Sequence, residues 1–137
     1  MLIWNCHQKY IMWGKSHCHD YKSIHHSGEG YVYTMGSNAK GNLGIGDTNT
    51  KYSSIPCLVE SILENKANKI SCGYHHTLLT TDNGEIFSWG DGENGATGFD
   101  KTLFEPKQIS LFKDKHIFVK RVSCGSRHTA FITCKYS

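Results

Sequence analysis

The sequence lacks the long apolar runs, the basic clusters and the leader segment that mark several large classes of protein. No apolar stretch in its 137 residues approaches the ~20 residues that a membrane-spanning helix needs. Lysine and arginine are scattered and the net charge is only +3, so no basic face for nucleic acid is expected. The segment Met1–His7 has neither the basic region nor the apolar length of a signal peptide. We therefore expect an intracellular protein of the cytoplasm or nucleus, without a membrane span.

The usual patterns of metal-binding, cofactor-binding and catalytic residues are also missing. The glycine-rich segment Gly36–Asn42 lacks the Lys-Ser/Thr pair of a phosphate-binding loop, and no carboxylate pair suggests acid–base catalysis. Many cysteines and histidines lie near the N-terminus, but none forms the Cys-x-x-Cys pair that structural zinc sites favour. We expect no metal, no cofactor and no enzymatic activity. These N-terminal residues are Cys6, His7, His17, Cys18, His19, His25 and His26.

The six cysteines permit three disulfides, but a reducing intracellular environment favours free thiols. Cys72 and Cys124 each precede a glycine, where a buried thiol packs like a small hydrophobic side chain. Free thiols are therefore expected, and a disulfide framework is the alternative.

What the sequence does contain is an internal repeat, in which landmark residues recur in the same order. Tyr31–Gly36 matches Glu85–Gly90, and Ser71–Thr77 matches Ser123–Thr129 at nearly the same spacing. A catalytic Cys–His dyad has no reason to recur at such intervals, whereas the packing of a repeated fold unit does. The repeat residues are therefore interpreted as scaffold. They are Gly36, Gly41, Gly44, Cys72, Gly73, His76, Thr77, Gly84, Trp89, Gly90, Gly95, Gly98, Cys124, Gly125, His128 and Thr129.

Each repeat predicts about four short strands joined by glycine-rich turns. Asp82-Asn83-Gly84 separates two alternating runs and predicts a tight hairpin turn, because Asn and Gly tolerate positive φ. Many short strands at regular intervals indicate an all-β fold, and one small antiparallel sheet per unit indicates the blade of a β-propeller. Further strands are expected after each proline, at Cys57–Val59 and Lys107–Leu111, and before each Cys-Gly, at Ala67–Cys72 and Phe118–Cys124.

These residues resemble the regulator of chromosome condensation repeat family. The family pattern is a Trp-Gly strand, a Gly-x-Leu-Gly-x-Gly-Asp loop, a proline and a Cys-Gly-x-x-His-Thr segment. It is matched here by Trp89-Gly90, Gly41–Asp47, Pro56 and Cys72–Thr77, with Met35 as a departure where Trp is usual. The resemblance implies a partial β-propeller of about two blades, each a four-stranded antiparallel sheet. Kelch and WD repeats fit worse, because the sequence has no Gly-Gly pair and no Trp-Asp pair.

The N-terminal part of the chain departs from the repeat. Sliding the spacing between Tyr31 and Glu85 backwards puts Cys18 on Cys72 and Ile24 on Leu78, which makes Cys18–Gly30 a candidate degenerate copy of the first half of the later hairpin. Trp13-Gly14 resembles the end of another Trp-Gly strand, but only three residues separate Gly14 from Cys18. That short spacing fits a deletion, a splice variant or a faulty gene model. The predicted organisation is a degenerate or poorly ordered segment at residues 1–30, propeller repeats at 31–133 and a tail at 134–137.

The leading functional hypothesis is a non-catalytic protein–protein interaction module, because loops on a rigid β scaffold carry binding residues. Within the family, Trp13-Gly14-Lys15-Ser16 suggests the retinitis pigmentosa GTPase regulator type, which implies a small GTPase partner and adds the cilium as a compartment. The candidate loops are Ser37–Lys40, Asp47–Ser54 and Asp91–Lys101, with Tyr52, Phe99 and Phe104 as possible partner-binding residues.

Two alternatives to this hypothesis stay open. The first is guanine nucleotide exchange on a Ran-like GTPase, which is the activity of the family's founding member. The second is a fragment of a longer propeller protein without independent function, which needs other blades or copies to close.

Overall fold

The structure is a computed structural model that describes residues 10–15, 21–26 and 30–135, the first two ranges by their backbone only. These residues form ten β-strands, one turn of 3-10 helix at Glu60–Ile62 and one short helix, α1, at Leu111–Asp114. The strands are β1 (Tyr10–Lys15), β2 (Tyr21–His26), β3 (Val32–Ser37), β4 (Tyr52–Leu58), β5 (Ala67–Cys72), β6 (His76–Thr81), β7 (Ile86–Gly90), β8 (Leu103–Gln108), β9 (Ile117–Cys124) and β10 (Thr129–Lys135).

The strands form three antiparallel sheets in which neighbours in sequence are neighbours in space. The first sheet contains β1 to β4 in that order, the second contains β5 to β8, and the third contains β9 and β10. Successive four-stranded antiparallel sheets are the building units of a propeller. The predicted all-β fold, a partial β-propeller of about two blades, is confirmed, and the third sheet adds two strands of a further blade.

The backbone register of the first sheet repeats that of the second. Ile24 lies opposite Thr34 in the β2–β3 pair, and Leu78 lies opposite Ser88 at the matching place of the β6–β7 pair. The expected copy of β6 within the N-terminal segment is therefore present as β2. Two stretches of residues 1–30 thus belong to the first sheet.

The prediction that Trp13-Gly14 ends a Trp-Gly strand of the repeat is wrong, because these residues lie in the first strand of their sheet. Trp13 lies opposite Ser23 in the β1–β2 pair, where Cys72 lies opposite Thr77 in the β5–β6 pair. β1 and β2, which lie on either side of this short spacing, pair antiparallel in one sheet.

Strands β4 and β8 begin before their prolines, so the predicted strands at Cys57–Val59 and Lys107–Leu111 were placed too late. Pro56 lies within β4 and Pro106 within β8, and each strand is the outer member of its sheet. A proline has no N–H to donate, and an outer strand tolerates it because one of its edges is unpaired.

Two hydrophobic cores hold the three sheets together, and β6 contributes to both. Leu79 packs with Val32 and Trp89 in the core that joins the first sheet to the second. Leu78 packs with Val119 in the core that joins the second sheet to the third. Both leucines are fully buried, because successive side chains of a strand point to opposite faces and both faces of β6 are covered.

The hairpin turn predicted at Asp82-Asn83-Gly84 is confirmed. Gly84 has a φ of 76°, and its N–H donates to the carbonyl of Thr81 at 3.0 Å. The ring of Phe118 in β9 occupies the place that a side chain at Gly84 would take. The glycine therefore serves both the turn and the contact with the third sheet.

Candidate interaction surface

The repeated Gly-x-x-His-Thr segment links neighbouring sheets and positions the loops around it. The N–H of Gly73 donates to the carbonyl of His76 at 2.8 Å, and the equivalent bond recurs between Gly125 and His128. Thr129 Oγ1 donates to the carbonyl of Ala96 at 2.8 Å, so the Nε2–H of His76, 3.1 Å away, donates to Thr129 Oγ1. His76, which is only 2% exposed, thereby connects the second sheet to the third.

The repeated cysteines also lie at the junctions between sheets. Cys72 packs against the core of the first and second sheets. The N–H of Cys124 donates to Ser71 Oγ at 2.8 Å, and its Sγ lies 3.2 Å from the Ser71 carbonyl oxygen. These contacts support the interpretation of both cysteines as scaffold residues.

Trp89 anchors the second sheet on a loop of the first. Its Nε1–H donates to the carbonyl of Asn42 at 3.0 Å. Gly44 lies against the indole, where a Cβ would come within 2.8 Å of Trp89 Nε1, and Gly41 lies against the backbone of Leu103. The glycine loop Gly41–Gly44 is therefore a surface against which strands β7 and β8 of the following sheet pack.

The loops of the two repeats are fixed by equivalent hydrogen bonds. Thr34 Oγ1 donates to the carbonyl of Leu43, and Ser88 Oγ donates to the carbonyl of Thr97, each at 2.7 Å and all four groups buried. Because the same bond recurs at the matching positions of both repeats, the loop conformation is a property of the repeat. The loops that carry surface side chains are therefore held in place before any partner binds.

The loop from residue 37 to residue 54 is further tied together by a buried amide. Asn38 Nδ2 donates to the carbonyls of Asp47 and Thr50 at 2.8 and 2.9 Å, and its Oδ1 accepts from the N–H of Leu43 at 3.2 Å. The Thr50 hydroxyl and the Asn49 N–H both donate to the Asp47 carboxylate. These bonds, with that of Thr50 the larger contribution, hold the pKa of Asp47 below the ordinary value.

Loops from all three sheets converge on one open cleft of about 350 Å³. Lys40 Nζ lies 3.3 Å from Glu93 Oε1 and 3.9 Å from Asp91 Oδ2 on one side of the cleft. Tyr74 and Arg127 also line the cleft, and the Tyr74 N–H donates to the carbonyl of Ser126 at 3.1 Å. The cleft thus combines both signs of charge with a tyrosine, which is typical of a protein-binding surface.

Two of the three predicted loops meet at this cleft, and the third does not. Lys40 comes from the loop Ser37–Lys40, and Asp91 and Glu93 come from the loop Asp91–Lys101. The loop Asp47–Ser54 contributes no lining residue. Sequence reasoning missed Tyr74 and Arg127, which occupy the x-x positions of Cys-Gly-x-x-His-Thr. The sequence contains a signal for them, because these positions differ between the copies while the neighbouring positions repeat.

The three aromatic residues predicted to bind a partner do not share one environment. Tyr52 is 55% exposed on β4. Phe99 is half-buried against the first core, with Lys107 Nζ 4.6 Å from the centroid of its ring. Phe104 is half-buried in β8. Of the three, Tyr52 is the one largely available to a partner.

The N-terminal cluster of cysteines and histidines lies largely outside the described residues. Cys6, His7, His17, Cys18 and His19 fall outside them, while His25 and His26 are described only as backbone in β2. The described part of the chain holds no group of three or more histidine, cysteine, aspartate or glutamate residues arranged to bind a metal ion. It also contains no helix of the length and apolarity that crossing a membrane requires. Its free thiols include Cys57 and Cys134.

Residues 29–80 and 83–132 match the family model described as the regulator of chromosome condensation (RCC1) repeat. The chain belongs to this family. The two matched ranges begin near the end of β2 and cover the rest of the first sheet, the second sheet and most of the third. A second model of the same RCC1 repeat matches residues 68–96.

Known proteins with RCC1 repeats are similar to the chain in sequence and in fold. It is 38% identical over 102 residues to the X-linked retinitis pigmentosa GTPase regulator of Canis lupus familiaris, covering 72% of the chain and 10% of the relative. It is 34% identical over 101 residues to the probable E3 ubiquitin-protein ligase HERC4 of Mus musculus, covering 74% and 9%. Prp20p from Saccharomyces cerevisiae superposes with a TM-score of 0.81 at 23% identity, covering 100% of the chain and 33% of Prp20p. The chain thus spans about a tenth of the length of the GTPase regulator and of HERC4, and a third of Prp20p.

Proposed function

We propose that the chain is a non-catalytic protein–protein interaction module of RCC1 repeats that contributes to the regulation of a small GTPase. The observation that carries this proposal is the cleft between the loops of the three sheets. Its side chains are Lys40 and Arg127 with Asp91, Glu93 and Tyr74. A surface with two cations and two anions suits another protein better than a nucleic acid, which would favour a uniformly basic face.

The relatives support the same class of function. One is named a GTPase regulator, and the Prp20p structure is titled with its binding properties to Gsp1p and histones. The ligase activity named for HERC4 is not transferred, because the match covers only 9% of that protein. For this chain we accordingly propose an intracellular binding role and no reaction of its own.

A direct binding experiment tests the cleft. A purified Ran-like GTPase is immobilised, and binding of the chain is measured by biolayer interferometry. The double substitution Tyr74→Ala and Arg127→Ala is expected to weaken binding by about tenfold or more, because tyrosine and arginine dominate protein interfaces. Arg121→Ala is the matched control, since Arg121 is also exposed but lies outside the cleft. Equal binding by all three proteins would assign the interaction to another surface.

Guanine nucleotide exchange is the second candidate, favoured by the relatives named as a GTPase regulator and as RCC1. Release of fluorescent GDP from the same GTPase separates it from simple binding. An exchange factor accelerates release in proportion to its concentration, whereas a binding module leaves the release rate unchanged. If the chain neither binds nor exchanges, the remaining alternative, a fragment without independent function, is favoured.

A further inference from the structure

The two segments that lead from one sheet to the next differ in their charge. The first connector, residues 59–66, joins β4 to β5, and the second connector, residues 109–116, joins β8 to β9. Both contain eight residues, so Ser61 corresponds to Leu111 and Leu63 to Lys113. The first connector carries two glutamates and one lysine, whereas the second carries two lysines, one aspartate and His116. The first connector is thus acidic and the second is basic, although both hold the same place in the repeat.

The second connector leaves a pocket where the first closes against its hairpin turn. At the first connector, the N–H of Ala67 donates to the carbonyl of Gly30 at 3.3 Å. At the second, the equivalent glycine, Gly84, lies against the ring of Phe118 instead. His116 there has a φ of 53°, a left-handed conformation that residues other than glycine rarely adopt. A pocket of about 180 Å³ lies between this turn and the second connector.

The pocket has both apolar and charged walls. Glu85 Oε1 accepts from Gln108 Nε2 at 3.0 Å and from Lys113 Nζ at 3.3 Å, so its charge is already compensated within the chain. The side chain of Lys113 is still 67% exposed and can pair with a further anion. The apolar lining residues are Ile86, Ile109, Phe112 and Ile117. A ligand with one apolar group and a negative charge therefore fits these walls.

The exposure of this surface is a property of its position in the repeat. Leu111 in α1 is 53% exposed and directly precedes Phe112. Its counterpart Ser61 is exposed as well, although the first connector leads into a four-stranded sheet. The same holds for Lys113, whose counterpart Leu63 is 39% exposed. The two positions thus remain open to solvent where the following sheet has all four of its strands.

We propose that the second connector and this pocket bind an acidic segment of a partner protein that carries one aliphatic or aromatic side chain. That side chain enters the pocket between Ile109, Phe112 and Ile117, where burial of an apolar anchor supplies affinity. Carboxylates beside the anchor pair with Lys113 and with Lys115, which is exposed in the same connector. The pocket shares no lining residue with the cleft, so this inference does not depend on the proposed GTPase partner.

An anionic membrane fits this surface less well than an acidic segment of a protein. A helix that lies on a lipid surface needs a long apolar face. The helix α1 has only four residues, and Leu111 is its one largely exposed apolar side chain. Asp114 also lies between the two lysines and would repel a uniformly anionic surface. The pocket is instead suited to one inserted side chain.

The experiment uses the full chain and a library of random peptides displayed on phage. Selection runs in parallel on the wild-type chain and on the double variant Leu111→Ser and Lys113→Ala. We expect the wild-type chain alone to enrich peptides that combine acidic residues with one aliphatic or aromatic residue. Fluorescence polarisation with these peptides should show about tenfold or weaker binding to the double variant, because an apolar and a charged contact are both removed.

A matched control separates this surface from general effects of the substitutions. Leu63→Ser with Lys101→Ala removes an exposed leucine and an exposed lysine outside the pocket, and it should leave peptide binding unchanged. Circular dichroism checks that both double variants fold. Raising the ionic strength should weaken peptide binding to the wild-type chain, since screening acts on the exposed lysines.

Hydrogen exchange identifies the surface used. Bound peptide should protect the amides of residues 109–117 and leave those of residues 91–96 in the cleft unchanged. The proposal is overturned if no peptide is enriched on the wild-type chain alone, or if the enriched peptides lack acidic residues. It is also overturned if protection is confined to the cleft. Binding of phosphatidylserine vesicles that the double variant loses would assign the surface to a membrane, and association of two copies that it abolishes would assign the surface to the chain itself.

Discussion

Gly44 and Gly98 are equivalent residues with similar backbones, since both have a positive φ of 66° and 79°. Alanine at either position costs about 1 kcal/mol of backbone strain. Only at Gly44 does the new methyl group also approach Trp89 Nε1, at 2.8 Å. We therefore expect Gly44→Ala to lower the free energy of unfolding by a further ~1–3 kcal/mol compared with Gly98→Ala. Urea unfolding followed by circular dichroism measures the difference, and equal losses would contradict the contact with Trp89.

The lowered pKa of Asp47 also depends on a single neighbouring residue. The Thr50 hydroxyl is its main cause, so Thr50→Val should raise the pKa towards the ordinary carboxyl value. Because the folded-state pKa is lowered, the stabilisation is present above the unfolded-state pKa and is lost as pH falls through the folded-state pKa. The variant should therefore have less of this stabilisation and should lose all of it at a higher pH, because its folded-state pKa lies closer to the unfolded-state pKa. Carbon-13 NMR titration of the carboxyl measures the pKa. Thr48→Val is the control, and a similar rise in that control would assign the effect to the loop as a whole.

At the scale of the elements, β6 and β10 share a repeat position but not their surroundings. β6 has two paired edges and full burial, whereas Ile132 of β10 is exposed on a strand that, within the described part of the chain, pairs along one edge. The amides of β10 should therefore exchange with solvent about a hundredfold faster than those of β6. Hydrogen exchange followed by mass spectrometry at micromolar concentration checks this. Comparable protection of both strands in a monomeric sample would show that β10 is covered.

The strands were predictable from sequence where side chains carry the signal. Ala67–Cys72 was predicted as a strand with the bounds that β5 has, because a repeated Cys-Gly marks its end. β4 and β8 were misplaced, because a proline in sequence looks like a strand boundary, while an outer strand accepts one. The place of β1 depends on its backbone pairing with β2, which does not require the side chains of the repeat.

The candidate cleft was only partly predictable, for a related reason. Lys40, Asp91 and Glu93 lie in loops that glycine patterns reveal, so the sequence pointed to them. Tyr74 and Arg127 lie within a scaffold motif. A search for residues that repeat does not single out the positions that vary between the copies. Their convergence depends on the packing of three sheets, which no local pattern encodes. Sequence therefore predicts the repeat unit better than the surface that several units build together.

At the scale of the whole molecule, two adjacent leucines stabilise two different cores. Leu78 and Leu79 are both fully buried in β6, but Leu79 faces the first sheet and Leu78 faces the third. Each substitution by alanine removes the same atoms and should cost about 2–5 kcal/mol at its own core. We expect Leu79→Ala to accelerate hydrogen exchange in β3 and β7. Leu78→Ala should accelerate exchange chiefly in β9 and β10, because the first core does not include that side chain.

The matched pair distinguishes two ways in which the sheets could unfold. Distinct exchange patterns for the two variants would mean that the third sheet opens while the first and second remain joined through Val32, Trp89 and Leu79. Identical, chain-wide acceleration would contradict this, because it would mean that all three sheets unfold as one cooperative unit. Separate opening is the expected result. Among the described residues the third sheet has two strands, and it joins the rest through the small core around Leu78 and through hydrogen bonds such as that between His76 and Thr129.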